Sequence, residues 1–318
     1  MWYWIVPAVL LGLLLLLFGG AALCYRIVFY SKKRTPLGEE EFRLPRGRVY
    51  EPYHEIMKTW IRRMRSEPCE ILTLTARDGL LLRGRYYEVK KGAPVEILVH
   101  GYRGDPERDM SAAIERCYAV GHNALLVSQR GAGESEGHTL SFGILERHDC
   151  LDWVKLVIEK FGPDVRIMLS GISMGAATVL MAAGEGLPPN VFAVLADCPY
   201  SSAKDVISSV MRKMKLPPPL FYPFVKLGAL LFGRFHLDET SPIEAIARTR
   251  VPVILYHGEE DFLVPCDHSR RLAAAAASPC RLVTVKGADH ALAYGLDPEA
   301  YVAALRAFLA ECEPIAAE

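Results

Sequence analysis

Gly171-Ile172-Ser173-Met174-Gly175 stands between an apolar run, Val165-Arg166-Ile167-Met168-Leu169-Ser170, and an alanine-rich segment over 176–183. The apolar run is typical of a buried strand, and the alanine-rich segment is typical of a helix. A serine between two glycines at such a strand-to-helix turn is the G-x-S-x-G pattern, in which small residues allow a sharp turn that exposes the hydroxyl. We therefore predict that Ser173 is a nucleophile.

Short apolar runs on both sides of this turn alternate with segments of helical pattern. Strands are predicted over 69–76, 80–89, 95–99, 123–127, 165–170, 191–196, 251–256 and 281–285, and helices near 106–120 and 143–161. Asp78-Gly79 predicts a hairpin between the first two strands. The later runs are almost entirely apolar, which is typical of parallel strands covered on both faces. The sequence therefore predicts an α/β fold with an eight-stranded, mostly parallel sheet and helices on both faces.

A serine hydroxyl needs an imidazole to accept its proton and a carboxylate to orient that imidazole. In this order of elements both partners are expected after later strands, in the order serine, acid, histidine. Asp261 follows the strand over 251–256, and His290 follows the strand over 281–285. We predict Asp261 as the orienting acid and His290 as the general base. The alternative acids are Glu259, Glu260 and Asp197.

A negatively charged oxygen that develops on the substrate needs backbone N–H donors. One is expected from the residue after the nucleophile, which is Met174. The second is expected from the loop after the third strand, His100-Gly101-Tyr102-Arg103-Gly104. We choose Tyr102, because the glycine before it lets the backbone turn inward.

Residues 1–30 are predicted to form a transmembrane anchor. No charged side chain occurs from Trp2 to Tyr25, and a helix of that length reaches about 36 Å, enough to cross a hydrocarbon core of about 30 Å. A cleaved signal peptide and a lipoprotein signal before Cys24 are the alternatives. Basic residues follow the helix rather than precede it. The positive-inside rule therefore predicts a single-pass protein of the cell membrane with a cytoplasmic catalytic domain.

Two further segments flank or interrupt the predicted sheet. Residues 31–68 form a basic juxtamembrane linker that ends in an amphipathic helix, which is expected to pack on the main domain. The alternative places its Arg62, Arg63 and Arg65 against anionic headgroups. Residues 69–318 form the catalytic domain, and its long apolar connection over 203–249 predicts a helical lid whose inner face lines a substrate pocket. A buried core helix is the alternative for that connection.

Composition argues against several other classes of function. Lys and Arg together number 37, as do Asp and Glu, so no excess of positive charge indicates a nucleic-acid partner. The eight cysteines are scattered, without a C-x-x-C pair or zinc-ligand spacing. We therefore predict neither a metal site nor a disulfide framework, and no cofactor.

Several short motifs from about Ile71 to Leu309 resemble the α/β-hydrolase family, in particular membrane-anchored bacterial serine-aminopeptidase-like and cinnamoyl-esterase-like hydrolases. The motifs are residues 100–104, 130–137, 171–175, 241–246, 257–265 and 289–291. The resemblance implies the same triad, Ser173, Asp261 and His290, and the same oxyanion pair. Ala132 departs from the pattern, because relatives often carry histidine there, and so do Ser128-Gln129 before Arg130.

These observations together predict a membrane-anchored serine hydrolase. It is expected to cleave carboxylic esters of apolar or lipid-like substrates through an acyl-enzyme intermediate, with the bilayer as its other partner. A peptidase or amidase of the serine-aminopeptidase type is the first alternative, because the same constellation cleaves amides. A catalytically silent, membrane-tethered binding module is the second.

Overall fold

An eight-stranded sheet forms the centre of the computed structural model, which describes residues 2–34, 37–38 and 40–312. The strands are β1 (Glu70–Thr75), β2 (Leu81–Tyr87), β3 (Val95–Val99), β4 (Asn123–Val127), β5 (Ile167–Ile172), β6 (Val191–Asp197), β7 (Val253–Gly258) and β8 (Cys280–Val285). Their order is β1-β2-β4-β3-β5-β6-β7-β8. The pairs β1–β2 and β2–β4 are antiparallel and the other pairs are parallel. The predicted mostly parallel sheet is confirmed.

Residues 1, 35, 36, 39 and 313–318 lie outside the described part of the chain. The sequence assigned them to the anchor, the linker and the end of the catalytic domain. The helices of the described part are α1 (Trp2–Val28), α2 (His54–Ser66), α3 (Pro106–Val120), α4 (Glu146–Phe161), α5 (Met174–Ala183), α6 (Ala203–Lys213), α7 (Pro218–Gly228), α8 (Pro242–Ile246), α9 (Asp267–Ala275), α10 (Ala293–Leu296) and α11 (Pro298–Cys312).

Helices cover both faces of the sheet, because alternate side chains of each strand point to opposite faces. In β5, Ile167 and Leu169 pack with α4, α5 and α9, whereas Met168 packs with α11. Helix α3 covers the neighbouring part of the second face and packs on β3 and β4 through Met110 and Ile114. The carboxyl ends of β5, β7 and β8 meet at one edge of the sheet, where the predicted site residues lie.

Helix α1 is long and apolar enough to cross a membrane, and among the described helices it alone meets that criterion. Its side chains from Tyr3 to Phe18 are mostly exposed, but its last turns pack on α7. A Cβ on Gly228 of α7 would lie 2.6 Å from the carbonyl oxygen of Ala21, so only glycine permits this close approach. The fully buried Phe29, just after α1, packs edge-on against Phe142 and Phe235.

Helix α2, the predicted amphipathic helix, packs on the main domain through its apolar side. Its buried residues are Trp60, Ile61 and Met64. Two of its basic residues pair with carboxylates of α3: Arg63 pairs with Glu115 and Arg65 with Glu107, each at 2.7 Å. These two arginines therefore contact protein, which is the arrangement expected for a helix packed on the domain.

The segment over 203–249, predicted as a lid, contains α6, α7, a π-helical turn over Ala229–Gly233 and α8. The apolar sides of α6 and α7 are buried against α5 and the end of α1, through side chains that include Val206, Met211 and Val225. Helix α8 packs directly on α5. One side of these helices is therefore buried within the domain, whereas Val210, Leu220 and Leu231 are exposed.

Candidate active site

Ser173 lies at the turn between β5 and α5 with φ 55° and ψ −115°, a backbone conformation that is strained for a residue with a side chain. A Cβ on Gly175 would overlap the carbonyl oxygen of Val99, and one on Gly171 would overlap the backbone of Gly175. The backbone N–H of Ser173 donates to the carbonyl oxygen of Asp197 at 2.8 Å. The flanking glycines thus permit the sharp turn, and the bond to β6 holds it.

The structure brings the three predicted side chains into one hydrogen-bonded line. Ser173 Oγ lies 2.9 Å from Nε2 of His290, and Nδ1 of His290 lies 2.6 Å from Oδ2 of Asp261. The other carboxylate oxygen of Asp261 accepts the backbone N–H groups of Leu263 at 2.9 Å and Val264 at 2.7 Å. His290 is 8% exposed and Asp261 is 5% exposed. Their contacts are therefore largely shielded from water.

Asp261 is held as a carboxylate by its surroundings. Burial alone would raise the pKa of Asp261, but hydrogen bonds from His257 and His290, together with the backbone N–H of Val264, outweigh burial and lower the pKa to about 2. His257 is fully buried and bonds Ser269 Oγ and the carbonyl oxygen of Val264, each at 2.7 Å. His257 therefore braces the acid, and its ring nitrogens have partners other than Ser173.

Four carboxylates were considered from the sequence, and the structure describes all of them. Among these four, only Asp261 contacts the ring of His290. Glu259 is exposed and accepts a bond from the Thr284 hydroxyl at 2.7 Å, and Glu260 is exposed. Asp197 accepts the hydroxyl of Tyr301 at 3.0 Å instead. The geometry thus favours Asp261 over its three alternatives.

Met174 is the first residue of α5, so its backbone N–H has no partner within the helix. It also lies at the positive end of the helix dipole. The loop that contains Tyr102 approaches from β3, and a Cβ on Gly101 would lie 3.6 Å from Cβ of Ser173. Both predicted oxyanion residues therefore flank the serine.

The loop of Tyr102 is bonded to the end of α1, a contact that the sequence did not predict. The Tyr102 hydroxyl donates to the carbonyl oxygen of Val28 at 2.6 Å. Arg103 donates to the carbonyl oxygens of Ile27 at 2.6 Å and Tyr30 at 2.9 Å. The last carbonyls of a helix lack partners within it, and here side chains of the candidate oxyanion loop supply them.

A cavity of about 340 Å³ opens beside Ser173 and His290. Part of its wall comes from the segment over 31–68, through residues that include Tyr50, Met57 and Trp60. Among the described residues, its lining includes none from 203–249. The expectation that the inner face of this segment lines a substrate pocket therefore gains no support from this cavity and stays a prediction.

The part of the wall formed by residues 31–68 was not predicted, because the surface that these residues cover is distant in sequence. The apolar spacing of Met57 and Trp60 is visible in the sequence, but it does not reveal which surface they cover. Tyr50 also contacts the site directly, since its hydroxyl donates to the carbonyl oxygen of His290 at 3.1 Å. No local pattern in the sequence marked this tyrosine.

Cys198, Asp261 and His290 place potential metal-ligand atoms within 4.8 Å of one another, and no other such group occurs in the described part of the chain. Both ring nitrogens of His290 already have partners, Ser173 and Asp261. Burial raises the pKa of the Cys198 thiol well above its ordinary value, so this sulfur is a thiol. The donor set therefore suits proton transfer better than metal binding.

A serine at a sharp turn after the central strand of a mostly parallel sheet is the arrangement of α/β hydrolases. Residues 97–304 match the model of the alpha/beta hydrolase family, and the chain belongs to this family. It is 28% identical over 191 residues to the uncharacterized protein YqkD of Bacillus subtilis, covering 60% of this chain and 63% of that protein. It is 29% identical over 243 residues to an uncharacterized protein of Mycobacterium tuberculosis, covering 76% and 79%.

Among solved structures, the Pyrococcus furiosus esterase Pf2001 is similar in fold. The TM-score is 0.66 at 21% identity, over 89% of this chain and 98% of the esterase. A structure of Est1E from Butyrivibrio proteoclasticus has a TM-score of 0.60 at 21% identity, over 76% of this chain and 100% of that one. The chain is thus a hydrolase of the α/β family with esterase-like structural neighbours.

Proposed function

We propose that this protein is a membrane-anchored serine hydrolase that cleaves carboxylic esters of apolar or lipid-like substrates through an acyl-enzyme intermediate. The observation that carries the proposal is the line of hydrogen bonds from Ser173 through His290 to Asp261 at the mouth of a cavity. Such a line is the arrangement that activates a serine hydroxyl for attack on a carbonyl carbon.

In the proposed reaction, Ser173 Oγ attacks the ester carbonyl carbon while Nε2 of His290 accepts its proton. Asp261 holds the His290 tautomer and stabilises the imidazolium that forms. The backbone N–H groups of Met174 and Tyr102 stabilise the negative charge on the carbonyl oxygen. His290 then protonates the departing alcohol. A water molecule, deprotonated by His290, hydrolyses the acyl-enzyme and regenerates the serine.

Two observations support an apolar ester as the substrate. Apolar side chains, including Met57, Trp60 and Met110, form much of the cavity wall. Among structural neighbours, one is an esterase and another holds ferulic acid, although a third is a puromycin-hydrolyzing peptidase. Ester and amide hydrolysis use the same residues, so the substrate panel below also tests the peptidase alternative.

The reaction is tested with a fluorophosphonate probe and a panel of p-nitrophenyl esters and aminoacyl anilides. Wild-type protein should react with the probe and hydrolyse esters faster than anilides, and Ser173→Ala should do neither. Ser208→Ala, which changes a buried serine of α6 outside the cavity, serves as the matched control and should retain both activities. Folded wild-type protein that fails to label would overturn the proposal, and faster cleavage of anilides would favour a peptidase.

The proposed location is the cell membrane, with α1 as the single anchor and the catalytic domain in the cytoplasm. Basic residues follow the apolar part of α1, namely Arg26, Lys32, Lys33 and Arg34, which supports this orientation. Protease added to right-side-out membrane vesicles should leave the catalytic domain intact. A mature chain that mass spectrometry finds to begin after residue 20 would instead indicate a cleaved signal peptide.

A further inference from the structure

An apolar surface is exposed on α7 and on the π-helical turn that follows it. Over 216–233 the only charged side chain is Lys226, and the exposed apolar residues of this stretch include Leu220, Leu230 and Leu231. Single exposed apolar side chains are ordinary, whereas an exposed apolar patch marks a contact with a membrane or another protein. We call the exposed side of α7 and this turn, with these three leucines, the α7 surface.

The α7 surface lies beside α1, because two aromatic side chains of the same stretch pack on that helix. The ring of Phe232 lies 5.0 Å from the ring of Phe18. A Cβ on Gly20 would lie 2.8 Å from the ring of Phe224. Both contacts fall well before the end of α1 at Val28. Helix α7 and the turn therefore run alongside α1 instead of lying beyond its end.

In a chain anchored by α1, these contacts determine how deep the α7 surface lies. A hydrocarbon core of about 30 Å takes about 20 residues of helix. The uncharged part of α1 runs from Trp2 to Tyr25, so every span of that length within it includes Phe18 and Gly20. These two residues therefore lie within the hydrocarbon, and so do the two phenylalanine rings that contact them.

The beginning of α7 suits an environment without water. A helix ordinarily leaves its first four N–H groups without partners, and an unpaired N–H is costly in hydrocarbon. The first two residues of α7, Pro218 and Pro219, have no N–H. The next two, Leu220 and Phe221, donate to the carbonyl oxygen of Pro217 at 3.1 and 3.3 Å. The first four residues of α7, all of them described, therefore present no unpaired N–H to lipid.

Charged side chains flank this apolar stretch. Four exposed basic residues stand before and after it, namely Arg212, Lys213, Lys215 and Arg234. Within the stretch, Lys226 pairs with Asp238 Oδ2 at 2.6 Å. Long basic side chains beside an apolar surface extend to the level of the headgroups, where anionic lipids attract them. An apolar side bordered by basic residues is the pattern of a helix that lies in the membrane interface.

We propose that the α7 surface is a second membrane contact, with Leu220, Leu230 and Leu231 among the acyl chains of phospholipids beside α1. This inference rests on the proposed anchoring by α1, since the depth of the surface is measured against that helix. The 11 residues of α7 extend about 16 Å, which is too short to cross the bilayer. The segment predicted as a lid therefore holds the catalytic domain against the membrane.

The first test identifies what covers the α7 surface. The photoreactive residue p-benzoylphenylalanine replaces Leu231, which is 46% exposed, in the full chain reconstituted in vesicles of phosphatidylcholine and phosphatidylglycerol. After irradiation, mass spectrometry should find a phospholipid adduct at this position. Val89, 36% exposed, is the matched control and should give none. Its N–H donates to Asn123 at the start of β4, at the opposite edge of the sheet from the loop of Tyr102.

The same replacement at Leu16 of α1, which is 73% exposed, separates failure of the α7 surface from failure of the anchor. Adducts at Leu16 but not at Leu231 would overturn the second contact and leave the anchor in place. Adducts at Leu231 but not at Leu16 would support the second contact and count against an α1 that crosses the bilayer. Adducts at neither position would overturn both. A cross-link from Leu231 to a second copy of this chain would show that protein covers the surface, and would overturn the inference.

The second test measures whether water reaches the α7 surface. A thiol reacts with N-ethylmaleimide as its thiolate. In the same vesicles, Leu220→Cys and Leu231→Cys should react about tenfold more slowly than Val89→Cys, because hydrocarbon disfavours the charged form. Peptide mass spectrometry distinguishes the introduced thiols from the native ones. All three positions are exposed, so each variant should keep the wild-type Tm. Equal reaction rates in folded variants would overturn the inference.

Discussion

The Tyr102 hydroxyl joins the loop of the proposed oxyanion donor to the end of α1. It donates to the carbonyl oxygen of Val28 at 2.6 Å, and the ring of Tyr102 stacks on Phe142 with centroids 5.0 Å apart. Tyr102→Phe removes the hydroxyl and keeps the ring and its stacking. The change therefore removes one restraint on the loop and alters little of its packing.

The expected effect is a moderate loss of kcat. A hydrogen bond between neutral groups contributes about 1 kcal/mol, which corresponds to about fivefold in rate. Loss of a whole oxyanion donor costs about 10²–10³ in kcat, but Arg103 still bonds the carbonyl oxygens of Ile27 and Tyr30. We therefore expect kcat to fall about fivefold. KM should change little, because the donor acts on charge that develops in the transition state.

Steady-state hydrolysis of p-nitrophenyl butyrate by the full chain in detergent measures kcat and KM separately. Tm is recorded on the same samples. Tyr25→Phe is the matched control. It removes a hydrogen bond of 2.8 Å between the Tyr25 hydroxyl and Thr139 Oγ1, also near the end of α1 but away from the loop of Tyr102. An unchanged kcat in Tyr102→Phe would refute the reasoning, and so would an equal fall in Tyr25→Phe.

Further predictions concern the acid and the turn. Asp261→Asn should lower kcat for ester hydrolysis by about 10⁴, because an amide favours the wrong tautomer of His290; wild-type rates would contradict the assignment. Since the pKa of Asp261 is lowered from 3.8 to about 2, its carboxylate contributes about 2 kcal/mol of stability above pH 4, which is lost as the pH falls through 2. Urea unfolding at about pH 5 and about pH 2 should show this loss in wild type and a smaller loss in Asp261→Asn. Gly175→Ala forces a methyl group onto the Val99 carbonyl oxygen and should destabilise the fold by about 3 kcal/mol. Gly12→Ala, whose added Cβ meets nothing within 4 Å, should leave Tm unchanged in thermal denaturation.

The sheet and the turn at Ser173 were predictable because their signals are local. Strand β3, strand β4 and helix α3 have the predicted bounds, since apolar runs and polar flanks mark both ends of each. Strand β7 begins at Val253 rather than at residue 251. Pro252 lies between the two positions and has no N–H to donate to a neighbouring strand.

The three-dimensional structure was needed to choose which of three neighbouring acids orients His290. Glu259, Glu260 and Asp261 are consecutive, so position in sequence distinguishes them poorly. The turn after β7 directs Asp261 inward, where His257 and backbone N–H groups surround its carboxylate. Glu259 and Glu260 are directed outward and are exposed. The backbone conformation of this turn determines which of the three acids faces His290. Composition and hydrophobic periodicity do not encode that conformation.

The N-terminal segment contributes more to the candidate site than a tether would. Val28 accepts a hydrogen bond from the loop of Tyr102, Tyr50 bonds the backbone of His290, and Trp60 forms part of the cavity wall. A chain that began at residue 69 would keep Ser173 and His290 but lose one wall of the cavity and one restraint on the loop. Because the same segment continues from α1, the placement of that helix is physically coupled to the shape of the site.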